Sequence, residues 1–257
     1  MAEKKMIGLL ASVRDENEVK IALNQTQTNN CLRLIDVKEP RNGALGQVNA
    51  ARLRNIGTIF NKHEGGQDRT QVGLSVALGE AVDLQSESQV FTDTTILQGF
   101  DFAKIGLAGL GDKKNWWDRW EKLLKKIPAE IKTVAVAYAD YYFCNSPDPI
   151  GVASVGKRLG CDYVLLDTYT KDGRCLFDFM SPAMVEQFVK SCRNAGQTVV
   201  IAGALKSDNL HTAVMCQPCF IGVRGAICES DRTASISEIR LANFIELLVN
   251  IQSKIAS

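Results

Sequence analysis

The sequence predicts an α/β protein that folds as a single (β/α)8 TIM barrel. Short apolar segments with the composition of buried strands recur along the chain, and segments with helical periodicity lie between them at similar spacing. Strict alternation of strands and helices indicates a parallel sheet, and eight such units indicate that the sheet closes into a barrel. The length of 257 residues suits one domain of this kind, covering residues 1–257.

Each element follows from its local pattern. The strands are predicted where apolar and β-branched residues cluster, at Met6–Val13, Cys31–Lys38, Gln71–Gly79, Phe102–Leu107, Thr133–Asp140, Tyr163–Thr168, Thr198–Leu205 and Phe220–Cys228. The helices are predicted between them, at Glu16–Gln25, Gln47–Phe60, Thr92–Gly99, Asn115–Ile127, Pro149–Leu159, Pro182–Ala195, Asp208–Met215 and Ser235–Lys254. Ser181 before Pro182 indicates a helix start, and Gly196 indicates the end of the same helix.

The composition excludes several classes of partner. A content of 46% hydrophobic and 23% charged residues is typical of a globular protein with a sizeable core. The net charge of +1 gives no electrostatic reason to expect nucleic acid or an anionic membrane as a partner. No stretch approaches the roughly 20 apolar residues of a membrane span, and Met6–Val13 is too short for a secretory signal. We therefore expect a cytoplasmic protein.

The cysteines and histidines do not indicate a metal site. The chain has 8 cysteines, mostly beside or within apolar segments, so we expect reduced and buried thiols. Cys216-Gln-Pro-Cys219 is a CxxC motif, but no second pair lies at zinc-binding spacing. His63 and His211 are the only histidines, too few to favour a Ser-His-Asp or Cys-His mechanism. We predict neither a metal nor a cofactor.

Charged residues stand near the ends of three predicted strands. Because alternate side chains of a strand share a face, Asp36 and Lys38 of the second strand point to the barrel interior. Lys104 of the fourth strand and Asp167 of the sixth do the same, and Lys171 follows in the adjoining loop. These residues form either structural ion pairs or a reaction centre. Burying several lysines in one barrel is hard to explain by stability alone, which favours a function.

A buried lysine surrounded by other cations has specific chemistry. Desolvation and like charge both lower its pKa, so that a free amine is present near neutral pH. Such an amine forms a Schiff base with a carbonyl substrate, and the iminium then withdraws electrons from neighbouring bonds. A second lysine or a carboxylate can move the protons. The pattern therefore predicts carbonyl chemistry of the class I aldolase type.

The last two strands are followed by segments that could bind a substrate phosphate. In TIM barrels this site often consists of backbone N–H groups after strands seven and eight. Gly203, Ala204 and Gly225 are the candidates for such contacts, and Arg224 or Arg232 could add a charge-assisted bond. Glycine at a strand end is by itself weak support, since it also serves turn geometry.

Several motifs resemble one enzyme family along nearly the whole chain. They are LIDVKEPRNGALG (34–46), AKIGLAG (103–109), AYADYY (137–142), CDYVLLDTYTKDGRCLFDF (161–179), AGALK (202–206) and GVRGAICESDR (222–232). They resemble the (5-formylfuran-3-yl)methyl phosphate synthases of methanofuran biosynthesis. The resemblance implies a cytoplasmic lyase that joins two molecules of glyceraldehyde 3-phosphate into a phosphorylated furan aldehyde, with loss of phosphate and water.

The resemblance also implies roles for single residues. The lysine of the DVK-P motif, Lys38, corresponds to the Schiff-base nucleophile, and Lys104 to a proton-transfer group. Asp167 and Lys171 match the aspartate and second lysine of LDT-x-x-KDG. The chain departs from the family at the end of the third strand, where Glu80 replaces an aspartate. It also departs in its first helix and in the polar segment 61–70, which are longer or more polar than in shorter members.

Two other functions remain open on the sequence. One is a different Schiff-base aldolase that acts on a sugar phosphate, and the other is a catalytically silent barrel that serves as a binding subunit. The tryptophans at 116, 117 and 120 form a stripe on the fourth predicted helix. That stripe is a candidate contact in a homo-oligomer or part of the packing against the barrel.

Overall fold

The computed structural model describes residues 6–27, 30–64 and 72–256 and confirms the TIM barrel. The strands are β1 (Gly8–Val13), β2 (Leu32–Val37), β3 (Gly73–Glu80), β4 (Phe102–Gly106), β5 (Lys132–Tyr138), β6 (Tyr163–Asp167), β7 (Thr198–Ile201) and β8 (Phe220–Val223). They are paired in parallel in sequence order, and β1 pairs with β8 to close the barrel. All carboxyl ends therefore open on the same face of the barrel.

The helices follow the strands and cover the outer surface of the barrel. They are α1 (Glu16–Thr26), α2 (Ala50–Glu64), α3 (Gln89–Thr92), α4 (Trp116–Leu124), α5 (Pro149–Arg158), α6 (Leu176–Phe179), α7 (Pro182–Asn194), α8 (Ser207–Met215) and α9 (Glu238–Ala256). Short 3-10 helices follow β2 at Pro40–Asn42 and β8 at Gly225–Ile227. In the part of the chain that the structure describes, no helix has both the length and the apolar character needed to cross a membrane.

The apolar side chains form two layers, one on each side of the sheet. Leu74, Val76 and Leu78 of β3 belong to the layer between the strands and the helices. Ala77 of the same strand belongs to the smaller layer inside the barrel. The predicted alternation of β3 is therefore confirmed from Leu74 to Leu78.

The predicted boundaries of the helix after β6 are confirmed. Ser181 is the N-cap of α7, and its Oγ accepts a hydrogen bond from the backbone N–H of Met184 at 3.3 Å. Pro182 occupies the first turn, where its missing N–H removes no helical bond. Gly196 lies just beyond the helix with a φ of 75°.

The predicted third helix, Thr92–Gly99, is wrong. The structure has a single helical turn earlier, at α3, and residues 94–99 form turns. The side chain of Asp93 accepts hydrogen bonds from the backbone N–H of Thr95 at 3.0 Å and from its hydroxyl at 2.6 Å. These local bonds compete with the helical ones and stop the helix.

The predicted ends of two strands and one helix also differ. β7 ends at Ile201 rather than Leu205, since Gly203 and Ala204 have φ values of 100° and 48° and turn the chain. β8 ends at Val223 rather than Cys228, because a 3-10 helix begins at Gly225. α2 continues to Glu64, so part of the polar segment predicted at 61–70 is helical, and the rest lies outside the described residues.

Candidate active site

A buried ion pair links β2 and β4 inside the mouth of the barrel. The Nζ of Lys104 donates a hydrogen bond to Oδ1 of Asp36, and both side chains are at most 2% exposed. Ser12, the partner of Asp36 in the β1–β2 register, donates its hydroxyl to Oδ2 of Asp36 at 3.3 Å. The predicted inward orientation of Asp36 and Lys104 is confirmed. Their catalytic roles stay predictions.

Lys38 lies immediately after β2, and the surroundings of its amine differ from those of the Lys104 amine. Its backbone N–H bonds to the carbonyl of Val13 at 2.9 Å, which fixes the start of the loop. Its Nζ lies 4.0 Å from Oδ2 of Asp167 and makes no hydrogen bond with any residue that the structure describes. Burial lowers the pKa of Lys38 to about 8, although the carboxylates of Asp167 and Asp36 oppose the shift.

Asp167 and Lys171 form the opposite wall of this space. Oδ1 of Asp167 accepts hydrogen bonds from the backbone N–H of Thr168 at 2.8 Å and from Nζ of Lys171 at 3.2 Å. Lys171 also donates to the carbonyl of Thr168 at 2.5 Å. Burial alone would raise the pKa of Asp167, but the charges of Lys171 and Lys38 hold it below its ordinary value. Asp167 is thus an ionised carboxylate between two lysines.

Asp140, at the end of β5, is a structural part of the site to which the sequence analysis assigned no role. Its two carboxylate oxygens accept the backbone N–H groups of Tyr169 and Thr170, each at 2.7 Å. These bonds fix the loop that carries Lys171. The sequence contained a signal, since Asp140 is an acidic residue at the end of the apolar run of β5, within the AYADYY motif.

Glu80 and Tyr138 form a second polar group at the mouth. The hydroxyl of Tyr138 donates to Oε1 of Glu80 at 2.5 Å, and the N–H of Ala108 donates to Oε2 at 2.9 Å. In the sequence, Glu80 stands out only as a departure from the family pattern. Strict alternation along β3 would have directed its side chain away from the barrel interior.

Arg224 does not have the role suggested for it as a phosphate ligand. Its guanidinium is buried and donates to the carboxylate of Glu18 at 2.8 and 3.3 Å. Its remaining N–H groups donate to the backbone carbonyls of Ser12, Arg232 and Ala234. A guanidinium has five N–H donors, and these bonds use all of them. Arg224 therefore ties the loop after β8 to β1 and α1 instead of facing a ligand.

Arg232 is the arginine that reaches across the mouth. It donates to the backbone carbonyls of Pro40 at 2.5 Å and Gly43 at 3.0 Å, both in the loop that follows Lys38. Burial lowers its pKa, whereas the carboxylate of Asp167 acts in the opposite direction. The charge of Arg232 therefore interacts with the carboxylate of Asp167 in the site.

The other predicted phosphate-binding positions lie at the carboxyl ends of their strands. Gly203 follows β7, and a Cβ at this position would come within 2.9 Å of the Thr168 side chain, so glycine is required there. Its carbonyl accepts the N–H of Leu176 at 2.9 Å, which joins the loops after β6 and β7. Ala204 and Gly225 are exposed. Phosphate binding by these three residues stays a prediction.

Cys144 lies within electrostatic reach of Glu80 and Tyr138, whereas the tryptophan stripe lies on α4. The cysteines of the described residues form no disulfide, and burial raises the pKa of most of them, for example that of Cys161 to about 11. Within residues 6–27, 30–64 and 72–256, no cluster of three His, Cys, Asp or Glu side chains could hold a metal ion. Trp120 is fully buried, and Trp116 stacks on it at 6.1 Å, so packing accounts for much of the stripe.

The barrel resembles solved structures of enzymes with other activities. It is similar to a thiamine phosphate pyrophosphorylase from Pyrococcus furiosus, with a TM-score of 0.59, 14% identity and coverage of 99% of this chain and 98% of that one. It is also similar to the 3-hexulose-6-phosphate synthase from Salmonella typhimurium, with a TM-score of 0.57, 13% identity and coverage of 95% and 100%. At such low identity these similarities show the fold alone.

Sequence comparison identifies a narrower group. The (5-formylfuran-3-yl)methyl phosphate synthase of Archaeoglobus fulgidus is 30% identical over 219 residues, which cover 83% of this chain and 89% of that protein. The synthase of the same name from Methanocaldococcus jannaschii is 29% identical over 203 residues, covering 76% and 81%. A model of the 4-HFC-P synthase family matches residues 9–245, which include every charged residue of the site described above. The chain therefore belongs to the 4-HFC-P synthase family.

Proposed function

We propose that this enzyme is a (5-formylfuran-3-yl)methyl phosphate synthase that acts through a lysine Schiff base. It would condense two molecules of glyceraldehyde 3-phosphate into a phosphorylated furan aldehyde, with loss of phosphate and water. This is lyase chemistry in the biosynthesis of a methanofuran-type carrier of one-carbon units. The observation that carries the proposal is the amine of Lys38, which is buried, makes no hydrogen bond to the described residues and has a pKa of about 8.

Lys38 is suited to attack a carbonyl carbon. With a pKa of about 8, a minority of its amine is uncharged near neutral pH, and attack of this form on an aldehyde or ketone with loss of water gives an imine. The protonated imine withdraws electrons from the neighbouring carbon. The ionised Asp167, 4.0 Å from the amine, stabilises that positive charge.

The remaining charged residues provide proton transfer and anion binding. Lys104 of β4 donates a hydrogen bond to Asp36 of β2 inside the mouth, and Lys171 lies beside Asp167 on the other side. These groups are placed to move protons during aldol addition and elimination. For the substrate phosphates we propose the loops at Gly203, Ala204 and Gly225, with Arg232 as the cationic residue.

Two assays on the purified protein test this function. Glyceraldehyde 3-phosphate with borohydride should give a reduced adduct on Lys38, detected by peptide mass spectrometry. Without borohydride, an ultraviolet-absorbing furan aldehyde should accumulate. Lys38→Arg should lose both signals, because arginine keeps the charge but does not form the imine. Lys132→Arg is the matched control, since Lys132 is exposed at the opposite end of the barrel.

The same assays separate the alternatives. An adduct on Lys38 without furan aldehyde would identify a different Schiff-base aldolase. The absence of both adduct and product would indicate a catalytically silent barrel. An adduct on another lysine with normal product would retain the reaction but overturn the assignment of the nucleophile.

A further inference from the structure

A bulge in β3 turns Glu80 into the mouth of the barrel. The pairing of β3 with β4 changes register between Ala77 and Glu80, and Gly79 between them has a φ of 100°. Only glycine adopts this backbone conformation without strain. Because the bulge adds a residue to the alternation, Glu80 leaves the helix-facing side of Leu78 and points across β4. Bulges commonly redirect a side chain in this way next to active sites.

A second glycine provides the space that Glu80 occupies. A Cβ on Gly106, at the end of β4, would lie 2.1 Å from Oε2 of Glu80, so no other residue fits without moving the carboxyl. Glu80 thus passes over β4 and reaches Tyr138 on β5. Two backbone features, the Gly79 bulge and the missing side chain of Gly106, are required to place this one carboxyl group.

The surroundings of Glu80 allow it to exist with or without its proton. Burial raises its pKa, while the hydrogen bonds from Tyr138 and Ala108 stabilise the ionised form. Asp167 raises the pKa of both Glu80 and Tyr138, so the pair is within electrostatic reach of the lysine cluster. Such a carboxyl group can both accept and return a proton.

Glu80 and the nucleophile are held by different strands. Glu80 bonds to Tyr138 on β5 and to the backbone N–H of Ala108 after β4, whereas Lys38 follows β2. A carboxyl on the β3–β5 side of the mouth is therefore better placed to act on substrate carbons beyond the imine than on the imine nitrogen.

We propose that Glu80 is a further catalytic residue of this site, the group that eliminates water from the aldol adduct while that adduct is bound to Lys38 as an imine. This inference rests on the proposed synthase function. The Glu80 carboxylate takes a proton from the carbon next to the imine, and the electrons of that C–H bond form an enamine. The enamine electrons then form a new C=C bond to the following carbon and restore the iminium, while the hydroxyl on that carbon takes the proton from the Glu80 carboxylic acid and leaves with its C–O bond electrons as water. Glu80 returns to its starting state, and no oxidant or reductant is consumed.

Tyr138 acts through Glu80 and is a positioning residue. It is fully buried, and its hydroxyl bonds directly to the carboxyl group. Its role is to hold the carboxyl in place and to favour the ionised form that starts the elimination.

The decisive variant is Glu80→Gln, which keeps the size of the side chain but carries no transferable proton. We expect borohydride trapping of glyceraldehyde 3-phosphate on Lys38 to stay within about twofold of wild type, while furan aldehyde formation falls at least about 100-fold. Glu80→Asp retains a carboxyl and should keep more activity than Glu80→Gln. Glu87→Gln, at an exposed position before α3, is the matched control and should match the wild type.

Tyr138→Phe separates a proton-transfer role from a structural one. Loss of the hydroxyl removes a bond to the ionised carboxylate, which raises the pKa of Glu80. The acidic limb of kcat should then move to higher pH by about one unit. Because Lys38 is bound in the imine during turnover, this limb reports a group other than the free amine. A lower kcat without a shift would mean that Tyr138 has a structural role only.

The outcomes distinguish the two proposals. Absence of furan aldehyde from the wild type overturns the synthase function and this inference with it. Wild-type product together with normal turnover in Glu80→Gln, within about threefold, overturns the role of Glu80 alone. Loss of trapping and product together in Glu80→Gln also overturns it, since Glu80 would then be needed before the imine forms or for folding.

Discussion

The two lysines on neighbouring sides of the barrel mouth are both buried but are held differently. Lys104 is hydrogen-bonded to Asp36 in a closed ion pair, and Ser12 completes the environment of that carboxylate. Lys38 lies 4.0 Å from Asp167 and has no hydrogen bond to the described residues. The amine of Lys104 is hydrogen-bonded to its carboxylate partner, whereas the amine of Lys38 can lose its proton and approach a carbonyl. This difference supports Lys38 as the proposed nucleophile and leaves proton transfer as the proposed role of Lys104.

The largest expected effect is that of Lys38→Arg. Turnover should fall by at least about 10³-fold, because no other amine forms the imine in its place. The thermal unfolding midpoint should stay within a few degrees of wild type, since the charge near Asp167 is retained. The furan aldehyde assay and a thermal melt check this prediction. More than about 1% residual activity would mean that Lys104 or Lys171 is the nucleophile.

Lys104→Met should have the next largest effect. Furan aldehyde formation should fall by roughly 10²-fold through kcat rather than KM, as expected for a proton-transfer group. The variant should also lose about 3–5 kcal/mol of stability, because it leaves the buried carboxylate of Asp36 without its partner. Steady-state kinetics and chemical denaturation measure the two effects.

A double variant provides the control for Lys104→Met. Adding Asp36→Leu removes the unpaired carboxylate and should recover much of the stability, without recovering activity. If activity returned together with stability, the Lys104–Asp36 ion pair would serve folding only, and Lys104 would have no catalytic role.

Asp167→Asn should have a smaller effect on the rate and a diagnostic effect on its pH dependence. The Asp167 carboxylate raises the pKa of Lys38 from the still lower value that burial alone would give. The rate of imine formation should fall as the pH drops below the pKa of Lys38. Removal of the Asp167 charge should therefore move that fall from about pH 8 to lower pH. Rates of borohydride trapping between pH 6 and 9 test this sign, and a fall that moves to higher pH would contradict it.

The sequence was sufficient for the fold and for the lysine cluster because both depend on regular periods. Alternation with a period of two placed Asp36, Lys104 and Asp167 on the inner face of their strands, as the structure has them. The same rule failed at Glu80, because the bulge at Gly79 shifts the alternation of β3 by one residue. A single sequence gives no reliable sign of a bulge, since glycine at a strand end is also common in turns.

Arg224 failed as a predicted ligand for a different reason. Its partner Glu18 lies 206 positions away in the chain, and nothing in the local pattern of either residue predicts their contact. Sequence motifs show which residue types lie near the mouth of the barrel. The partners of a long side chain depend instead on which loops, distant in sequence, come together at that mouth. The same limit applies to Arg232, whose contacts with Pro40 and Gly43 join the loops after β8 and β2.

The smallest expected effect on catalysis is that of Arg224→Met. All the N–H donors of Arg224 bond to Glu18 and to backbone carbonyls, so its loss should change KM for glyceraldehyde 3-phosphate by less than about threefold. Stability should fall by about 3 kcal/mol, the lower end for a broken buried pair, because Arg14 remains within 3.2 Å of Glu18. In contrast, Arg232→Met should raise KM by roughly tenfold if that arginine binds a substrate phosphate. A residue that only joins loops can weaken substrate binding only by destabilising the fold. A rise in KM for Arg224→Met with unchanged stability would therefore make Arg224, not Arg232, the phosphate-binding arginine.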